Sequence, residues 1–305
     1  MTAYLSRRGL QAVVVLLIVT LIVFGLLSLA PGSPAAAALG PGSAHRSFLL
    51  AYLTWVGRAV QGNLGFSARL NVSVTSLLAT SLPRTLVLTG FATVIALVIA
   101  IPVGLVQAVR RGTVTDHVLR GLTILCYGMP AFVLGSVLVL FLAVERPHIF
   151  GAEGPQGPGF AAVLTDVRDM TLPVCTLAAV TVGIFARYMR SSALDALSQD
   201  YVEAARARGA GEGRVIGAHV LRNSLVPVVT LLGLSLPQIV GGAVVVEGLF
   251  NIQGMGWQLW QAAQRHDVPV TLGFTLVIAV AAVLGSLLAD VAYAFLDPRV
   301  RRALS

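Results

Sequence analysis

The chain has 305 residues, of which 56% are hydrophobic and only 11% are charged. A soluble domain carries about 25% charged residues, so this composition excludes an ordinary water-soluble globular protein. The formal net charge is +8, and all 21 basic residues are arginines. Because these arginines form short clusters between apolar runs, they indicate membrane topology rather than a nucleic-acid-binding surface.

Six apolar runs are long enough to cross a bilayer, because a spanning helix needs about 20 residues, with about 17 as the lower limit. Lipid-facing backbone must be helical, so we predict an all-α polytopic membrane protein with a single transmembrane domain over residues 1–305. Its six predicted transmembrane helices are residues 9–30, 85–109, 121–144, 170–190, 223–246 and 268–296. The first run is about 22 residues long, whereas the apolar part of a cleaved signal peptide has about 7 to 15, which favours an uncleaved first span.

The positions of the arginines predict the orientation of the chain. If the amino terminus is cytoplasmic, 14 of the 21 arginines fall in cytoplasmic segments, as the positive-inside rule requires. Six spans return the chain to the same side, so both termini are predicted to be cytoplasmic. The fourth run is free of charge only as far as Ala186, and we expect its helix to continue into the aqueous segment that follows.

The predicted outer segments differ in composition. The first, periplasmic residues 31–84, ends in the apolar stretch Leu70–Pro83, which is too short to span and is interpreted as an interfacial helix leading into the second span. A Gly/Pro cluster at Gly151–Gly159 is typical of a loop. Trp257 and Trp260, in the last outer segment, suit an aromatic belt at the membrane interface.

The predicted cytoplasmic segment, residues 191–222, is charged and rich in small residues. Its composition predicts a helix over Ser191–Arg208, which Gly209 and the glycines after it end, and a second helix from about Arg214 into span five. Glu203 and Arg206 stand three residues apart and can pair on one helix face. Small residues beside fixed charges favour a docking surface for another protein, although an ordinary solvated hairpin has the same pattern.

The residues around Glu203 resemble a known signature. Glu203-Ala204-Ala205, followed after three residues by Gly209, resembles the EAA loop of ABC-importer permeases, and DYVEAARARG with HVLRNSLVP is similar to the peptide and nickel uptake subgroup. Further stretches agree with the amino-terminal-type permease subunit of that subgroup: LAPGSP (29–34), GNLGFS (62–67), VVEGLFNIQGMG (245–256) and DVAYAFLDPRVR (290–301). The resemblance extends over essentially the whole chain.

The chain departs from the family pattern at a few positions. The general permease motif continues toward Ile-x-Leu-Pro, where this chain has His219-Val220-Leu221-Arg222, a variant that is usual in the peptide subgroup. Ser33 and Asn63 stand where that subgroup commonly has Asp, so both positions lack a negative charge on the predicted outer side.

The resemblance implies a type I ABC importer permease fold in the prokaryotic cytoplasmic (inner) membrane. It implies a subunit that forms half of the translocation pore for di- or oligopeptides and is not itself an enzyme, in keeping with the absence of a GxxxxGK[ST] phosphate loop from the sequence. The implied partners are a second homologous permease subunit, one or two ATPase subunits, an extracytoplasmic substrate-binding protein and membrane lipid, with no nucleic acid. No cofactor is expected on this chain, since ATP and Mg²⁺ belong to the ATPase subunits.

The residues implied to form the ATPase-coupling loop are Asp200, Tyr201, Glu203, Ala204, Ala205, Arg206, Arg208, Gly209, His219, Arg222 and Asn223. The candidate pore or gate residues are Met129 and Pro130 in span three, with Gly233, Pro237, Gly241 and Gly242 in span five. Proline and glycine kink helices or permit close helix packing, and packing alone explains these residues equally well.

Other chemistry-bearing residues indicate less. Asp290 is interpreted as an interfacial anchor rather than a gating residue, because it lies near the predicted inner end of the last span, where a carboxylate costs less than at the bilayer centre. Cys126 and Cys175 both fall inside apolar runs and are interpreted as small core residues. The five histidines are scattered over both sides and do not indicate a metal site.

Alternatives to a peptide importer stay open. The same architecture could carry nickel or another small chelate, because the subgroup shares these loop signatures. An ATP-independent secondary carrier is a different class, which the six spans and the lack of detectable inverted repeats disfavour. A non-transporting membrane assembly or receptor module would account for the cytoplasmic hairpin but not for the other motifs.

Overall fold

The computed structural model describes residues 2–28, 48–155 and 165–296, with side chains over 9–28, 48–155 and 165–290. These residues are mostly helical, which confirms the prediction of a helical chain. The LAPGSP stretch with Ser33, residues 156–159 of the predicted Gly/Pro loop, and residues 297–301 of DVAYAFLDPRVR lie outside the described residues.

The helices are α1 (Thr2–Ser28), α2 (Phe48–Val60), α3 (Val74–Val109), α4 (Val114–Gly128), α5 (Ala131–Leu138), α6 (Val167–Leu197), α7 (Asp200–Ala207), α8 (Glu212–Arg214), α9 (Arg222–Leu234), α10 (Leu236–Gly241), α11 (Val244–Leu249), α12 (Met255–Gln264) and α13 (Val268–Leu296). Two π-helical segments, Val139–Ala143 and Val215–Leu221, follow α5 and join α8 to α9. A short antiparallel hairpin pairs β1 (Phe66–Ser67) with β2 (Val72–Ser73).

In the described part of the chain, five helical stretches are long and apolar enough to cross a membrane: Gly9–Ser28, Val74–Val109, Val167–Leu197, Glu212–Leu249 and Val268–Asp290. Helix α4 and residues 131–143 meet the same test together, and they make a sixth span if the bent pair is counted as one. As predicted, the fourth apolar run continues as a single helix beyond its charge-free part, to Leu197.

The third predicted span, residues 121–144, is not one straight helix. Helix α4 ends at Gly128, α5 begins at Ala131, and the two are bent by 103°. Pro130 lacks an amide hydrogen and disfavours helical backbone in the residue before it, and Met129 is accordingly extended, with φ −81° and ψ 125°. The break therefore lies at Pro130, for which the sequence left a helix kink and close helix packing open as alternatives.

The stretch Leu70–Pro83, predicted to be an interfacial helix that leads into the second span, is helical only from Val74 and is not a separate helix. Strand β2 occupies the beginning of that stretch, and from Val74 a single helix of 36 residues runs to Val109. At 1.5 Å per residue α3 is about 54 Å long, whereas the apolar core of a bilayer is about 30 Å thick. The apolar stretch is thus the first part of a long helix rather than a separate element.

The chain divides into two compact units, the first comprising residues 1–89, 153–170 and 236–284, and the second comprising residues 90–152, 171–235 and 285–305. In the first unit an aromatic cluster joins α1 to α2. The Phe24 ring centroid lies 5.4 Å from that of Phe48 and 5.6 Å from that of Tyr52, and the Tyr52 hydroxyl donates to the Leu17 carbonyl oxygen at 2.9 Å. The predicted outer segment, which contains α2, therefore packs against the first apolar helix.

In the second unit, helices approach each other through glycines. A Cβ atom added to Gly104 of α3 would lie 2.6 Å from the Ala186 carbonyl oxygen and 2.7 Å from Met189 Cβ, both in α6. A Cβ atom added to Gly183 of α6 would lie 2.8 Å from the Thr123 carbonyl oxygen in α4. Because lipid is as apolar as the side chains, helices in a membrane associate largely through such close packing of small residues.

The two cysteines do not both lie in the core. Cys126 is half-buried, but Cys175 is exposed on α6. The interpretation of Cys175 as a core residue is therefore wrong, because an apolar run in a membrane protein need not face the protein interior.

We expect Gly104→Val to destabilise the second unit. The added side chain would overlap backbone and side-chain atoms of α6, and overpacking of this kind costs about 1–3 kcal/mol. The measurement is the midpoint of thermal unfolding of the detergent-solubilised protein. Gly90→Val is the matched control in the same helix, since a Cβ atom there meets no atom within 4 Å; equal melting of the two variants would contradict the packing argument.

Candidate functional site

Helix α7 carries the centre of the predicted coupling loop, and both of its ends are defined locally. Asp200 and Glu203 lie in its first turn, where acidic side chains favour the positive end of the helix dipole. At its carboxyl end the Gly209 amide donates to the Arg206 carbonyl oxygen at 2.9 Å, and the Ala210 amide donates to that of Ala205 at 3.1 Å. These two bonds form a Schellman motif, and Gly209 supplies the positive φ, +80°, that the motif requires.

The helix has an inner face and an outer face. Val202 is fully buried and Ala205 is 2% exposed, and both belong to the apolar core of the second unit. The predicted coupling residues that are exposed on or beside the helix are Asp200, Tyr201, Glu203, Ala204, Arg206, Arg208 and Gly209. The structure therefore presents most of the EAA signature outward, while Ala205 faces the core.

An ion pair closes the turn that follows α7. The Arg206 Nε atom lies 2.7 Å from Glu212 Oε1, and the guanidinium also donates to Glu212 Oε2 at 3.2 Å. Arg206 thus pairs with Glu212. It does not pair with Glu203, the partner that the sequence spacing had suggested. Glu203 remains on the exposed face, where its charge is available to another surface.

The second part of the predicted coupling loop is π-helical. Val215 and Val220 of the segment Val215–Leu221 are fully buried, whereas His219 is half-buried and Arg222 is exposed. The exposed Asn223 donates from Nδ2 to the His219 carbonyl oxygen at 2.8 Å. π-Helical turns are rare and are frequently found at functional sites, and the sequence pattern gave no indication of this one.

The candidate pore residues fall into different environments. Met129 and Pro130 lie at the break between α4 and α5, where Pro130 is exposed. Gly233 packs against α13, since an added Cβ atom would lie 2.6 Å from Ala289 Cβ, and one at Gly241 would lie 3.2 Å from Ile278 Cδ1. For these two glycines the observed environment is the close helix packing that the sequence left open as an alternative.

Pro237 and Gly242 mark changes in the fifth span. Pro237 is half-buried in α10, and Gly242, with φ +86°, separates α10 from α11. Asp290 lies in α13 and is half-buried; its role as an interfacial anchor stays a prediction. Among the described residues, no group of three or more His, Cys, Asp and Glu side chains is placed to hold a metal ion.

The sequence analysis missed a buried carboxylate at the end of span five. Glu247 is fully buried; its Oε1 accepts a hydrogen bond from the Thr85 hydroxyl, and its Oε2 accepts one from the Trp257 amide, each at 2.7 Å. The Thr85 oxygen in turn accepts from the Met255 amide at 2.7 Å. These bonds supply the partners that a buried polar group requires.

Glycines make room for the Glu247 carboxylate. A Cβ atom added to Gly242 would collide with Glu247 Oε1, and one added to Gly254 would collide with the Thr85 hydroxyl. The stretch VVEGLFNIQGMG therefore folds around its single carboxylate. The sequence signal for this site was that Glu247 is the single acidic residue between Gly242 and Gly254.

Comparison with known proteins identifies the family. A family model described as "Binding-protein-dependent transport system inner membrane component" matches residues 100–302. The chain belongs to this family. Its members are transport subunits without an ATPase motif of their own, and in general they work with ATPase subunits and a substrate-binding protein. The chain is thus an inner-membrane permease component, as its sequence motifs predicted.

Three similar relatives match along almost their whole length. The chain is 38% identical to a putative peptide permease protein of Brucella ovis, over 99% of each chain. It is 35% identical to the oligopeptide transport system permease protein AppB of Bacillus subtilis, over 98% of this chain and 99% of the relative. It is 31% identical to the dipeptide transport system permease protein DppB of Escherichia coli, over 99% of each.

We expect Glu247→Ala to loosen the segment of the first unit that surrounds this carboxyl group. The substitution leaves the Thr85 hydroxyl and the Trp257 amide without their acceptor, and each buried donor left unsatisfied costs about 1–3 kcal/mol. The measurement is the rate at which thermolysin cleaves the purified protein between Gly242 and Trp257, mapped by mass spectrometry. Glu145→Ala, at an exposed glutamate, is the control; equal cleavage of both variants would show that the carboxylate does not hold this segment.

Proposed function

We propose that this permease forms one half of the translocation pore of an importer for di- or oligopeptides, paired with a second homologous permease subunit. The similar relatives named as peptide, oligopeptide and dipeptide permeases support the substrate class. Matches over 98–99% of the chain support a whole subunit of that kind rather than a shared domain.

The observation that carries the coupling role is the construction of α7. Its outer face presents Glu203, Ala204 and Arg208, while Val202 on its inner face belongs to the core of the second unit. A surface built in this way can receive an ATPase subunit at Ala204 without a large side chain in between, while the charges set the register. Because the base of the helix is buried, a displacement of α7 has to move the helices on which it rests.

In this proposal the chain binds no cofactor of its own. ATP and Mg²⁺ are held by one or two kinds of ATPase subunit, and an extracytoplasmic binding protein delivers the peptide. Family membership favours this arrangement over an ATP-independent secondary carrier.

We predict that Glu203→Lys and Gly209→Val leave the protein in the membrane but reduce ATP-driven peptide uptake at least tenfold. Glu203→Lys reverses an exposed charge, and Gly209→Val places a branched side chain at φ +80°, where left-handed backbone costs about 1–2 kcal/mol per residue. The measurement is uptake of a labelled dipeptide by proteoliposomes that contain the complete importer, together with the amount of ATPase subunit that co-purifies with each variant.

Gly213→Val is the control, since Gly213 lies four residues further on, in α8, without positive φ, and an added Cβ atom there meets nothing within 4 Å. Wild-type uptake by the Glu203 and Gly209 variants would contradict the coupling role. Uptake of nickel, but of no peptide, by the wild-type importer would instead assign the chelate alternative.

A further inference from the structure

An arginine and a tyrosine meet beside the broken third span. Gly183 brings α6 into contact with α4, since an added Cβ atom would lie 2.8 Å from the Tyr127 amide nitrogen. One turn further along α6, the Arg187 guanidinium carbon lies 4.6 Å from the centroid of the Tyr127 ring. Arg187 is exposed, and the tyrosine is 50% exposed, so the pair forms part of the surface of the second unit.

Tyr127 lies within the apolar part of α4, and Arg187 of α6 contacts it there. Tyr127 follows Arg120, the last charged residue of that helix, by seven residues, which is about 10 Å of helix. It also precedes by two residues the break at Met129 and Pro130. An arginine inside an apolar membrane region is costly when it faces lipid. Such residues usually face a bundle interior or a water-filled cavity.

A second arginine of α6, Arg190, is neutralised by a carboxylate within the second unit. Arg190 donates from Nε and from its terminal nitrogen to the two carboxylate oxygens of Asp116, at 3.3 and 3.2 Å. The Asp116 carboxylate is buried and also accepts from the Gly112 amide at 3.0 Å. In the described part of the chain, Arg187 has no such carboxylate partner, and its guanidinium instead lies over the ring of Tyr127.

We propose that Arg187, held by Tyr127, binds the carboxyl-terminal carboxylate of the peptide as it passes through the permease. The inference rests on the proposed function. A ring face attracts and orients the guanidinium, while the N–H groups at the edge stay free for the bidentate pairing that arginine forms with carboxylates. Every free peptide carries this carboxylate whatever its side chains, so one arginine serves substrates of any sequence.

The experiment uses the complete importer in proteoliposomes with saturating ATP and binding protein, and a labelled dipeptide as the probe. Arg187→Gln is expected to lower the initial rate of uptake about tenfold, while ATP hydrolysis stimulated by the binding protein stays within twofold of wild type. Arg187→Lys keeps the charge without the planar fork and is expected to lose about threefold. Arg168→Gln, at an exposed arginine near the start of α6, controls for charge removal and should transport like the wild type.

Several results would overturn the assignment. Unchanged uptake by Arg187→Gln would remove Arg187 from the path. A parallel loss of uptake, ATP hydrolysis and the co-purifying second permease would make Arg187 a contact between subunits. A defect that appears only in vesicles containing anionic lipid would assign the guanidinium to a lipid phosphate.

The failure of the proposed function would look different. In that case the wild-type importer would transport no dipeptide or longer peptide before any variant is compared, and the inference about Arg187 would fall with it. Wild-type peptide uptake together with a selective Arg187→Gln defect supports both.

Discussion

Close approach of helix backbones is the constraint on which this structure depends. A helix pair in lipid gains little from the hydrophobic effect, so its stability comes from van der Waals packing and from polar groups that find partners. Gly104 and Gly183 allow α6 to contact α3 and α4 where a side chain of any size would overlap backbone atoms. The elements that present the predicted coupling loop are held in place by these contacts.

Polar groups inside the apolar elements are held equally closely. Within the first unit, Glu247 is bound by Thr85 and the Trp257 amide, and the Asp267 carboxylate accepts from the Ser67 hydroxyl and caps α13 through the Val270 amide. In the second unit Asp116 pairs with Arg190. Each of these carboxyl groups has fixed neighbours and a structural role. Arg187 differs, because its ring contact with Tyr127 fixes its position without neutralising its charge.

Local chemistry explains which features were predictable from the sequence. The helix end at Gly209 and the continuation of the fourth helix to Leu197 depend on residues next to one another, so composition and turn chemistry predict them. The bend of 103° at Pro130 cannot be predicted in this way. A proline predicts a kink or break in the helix, but the angle is set by packing. The partner of Glu247 is Thr85, 162 positions away, and a single sequence contains no signal for that pairing. Arg187 was counted only as one charge of the cytoplasmic side, since its contact with Tyr127 depends on how α4 and α6 pack.

The way in which α7 is attached has a mechanical consequence. At one end, two residues, Ser198 and Gln199, separate it from α6; at the other, the turn braced by Arg206 and Glu212 leads into the helical segment that continues as α9. A loop fixed at a single point could swing and dissipate an applied force. A short helix fixed at both ends transfers that force to both of its supports, α6 on one side and the helical segment that continues as α9 on the other.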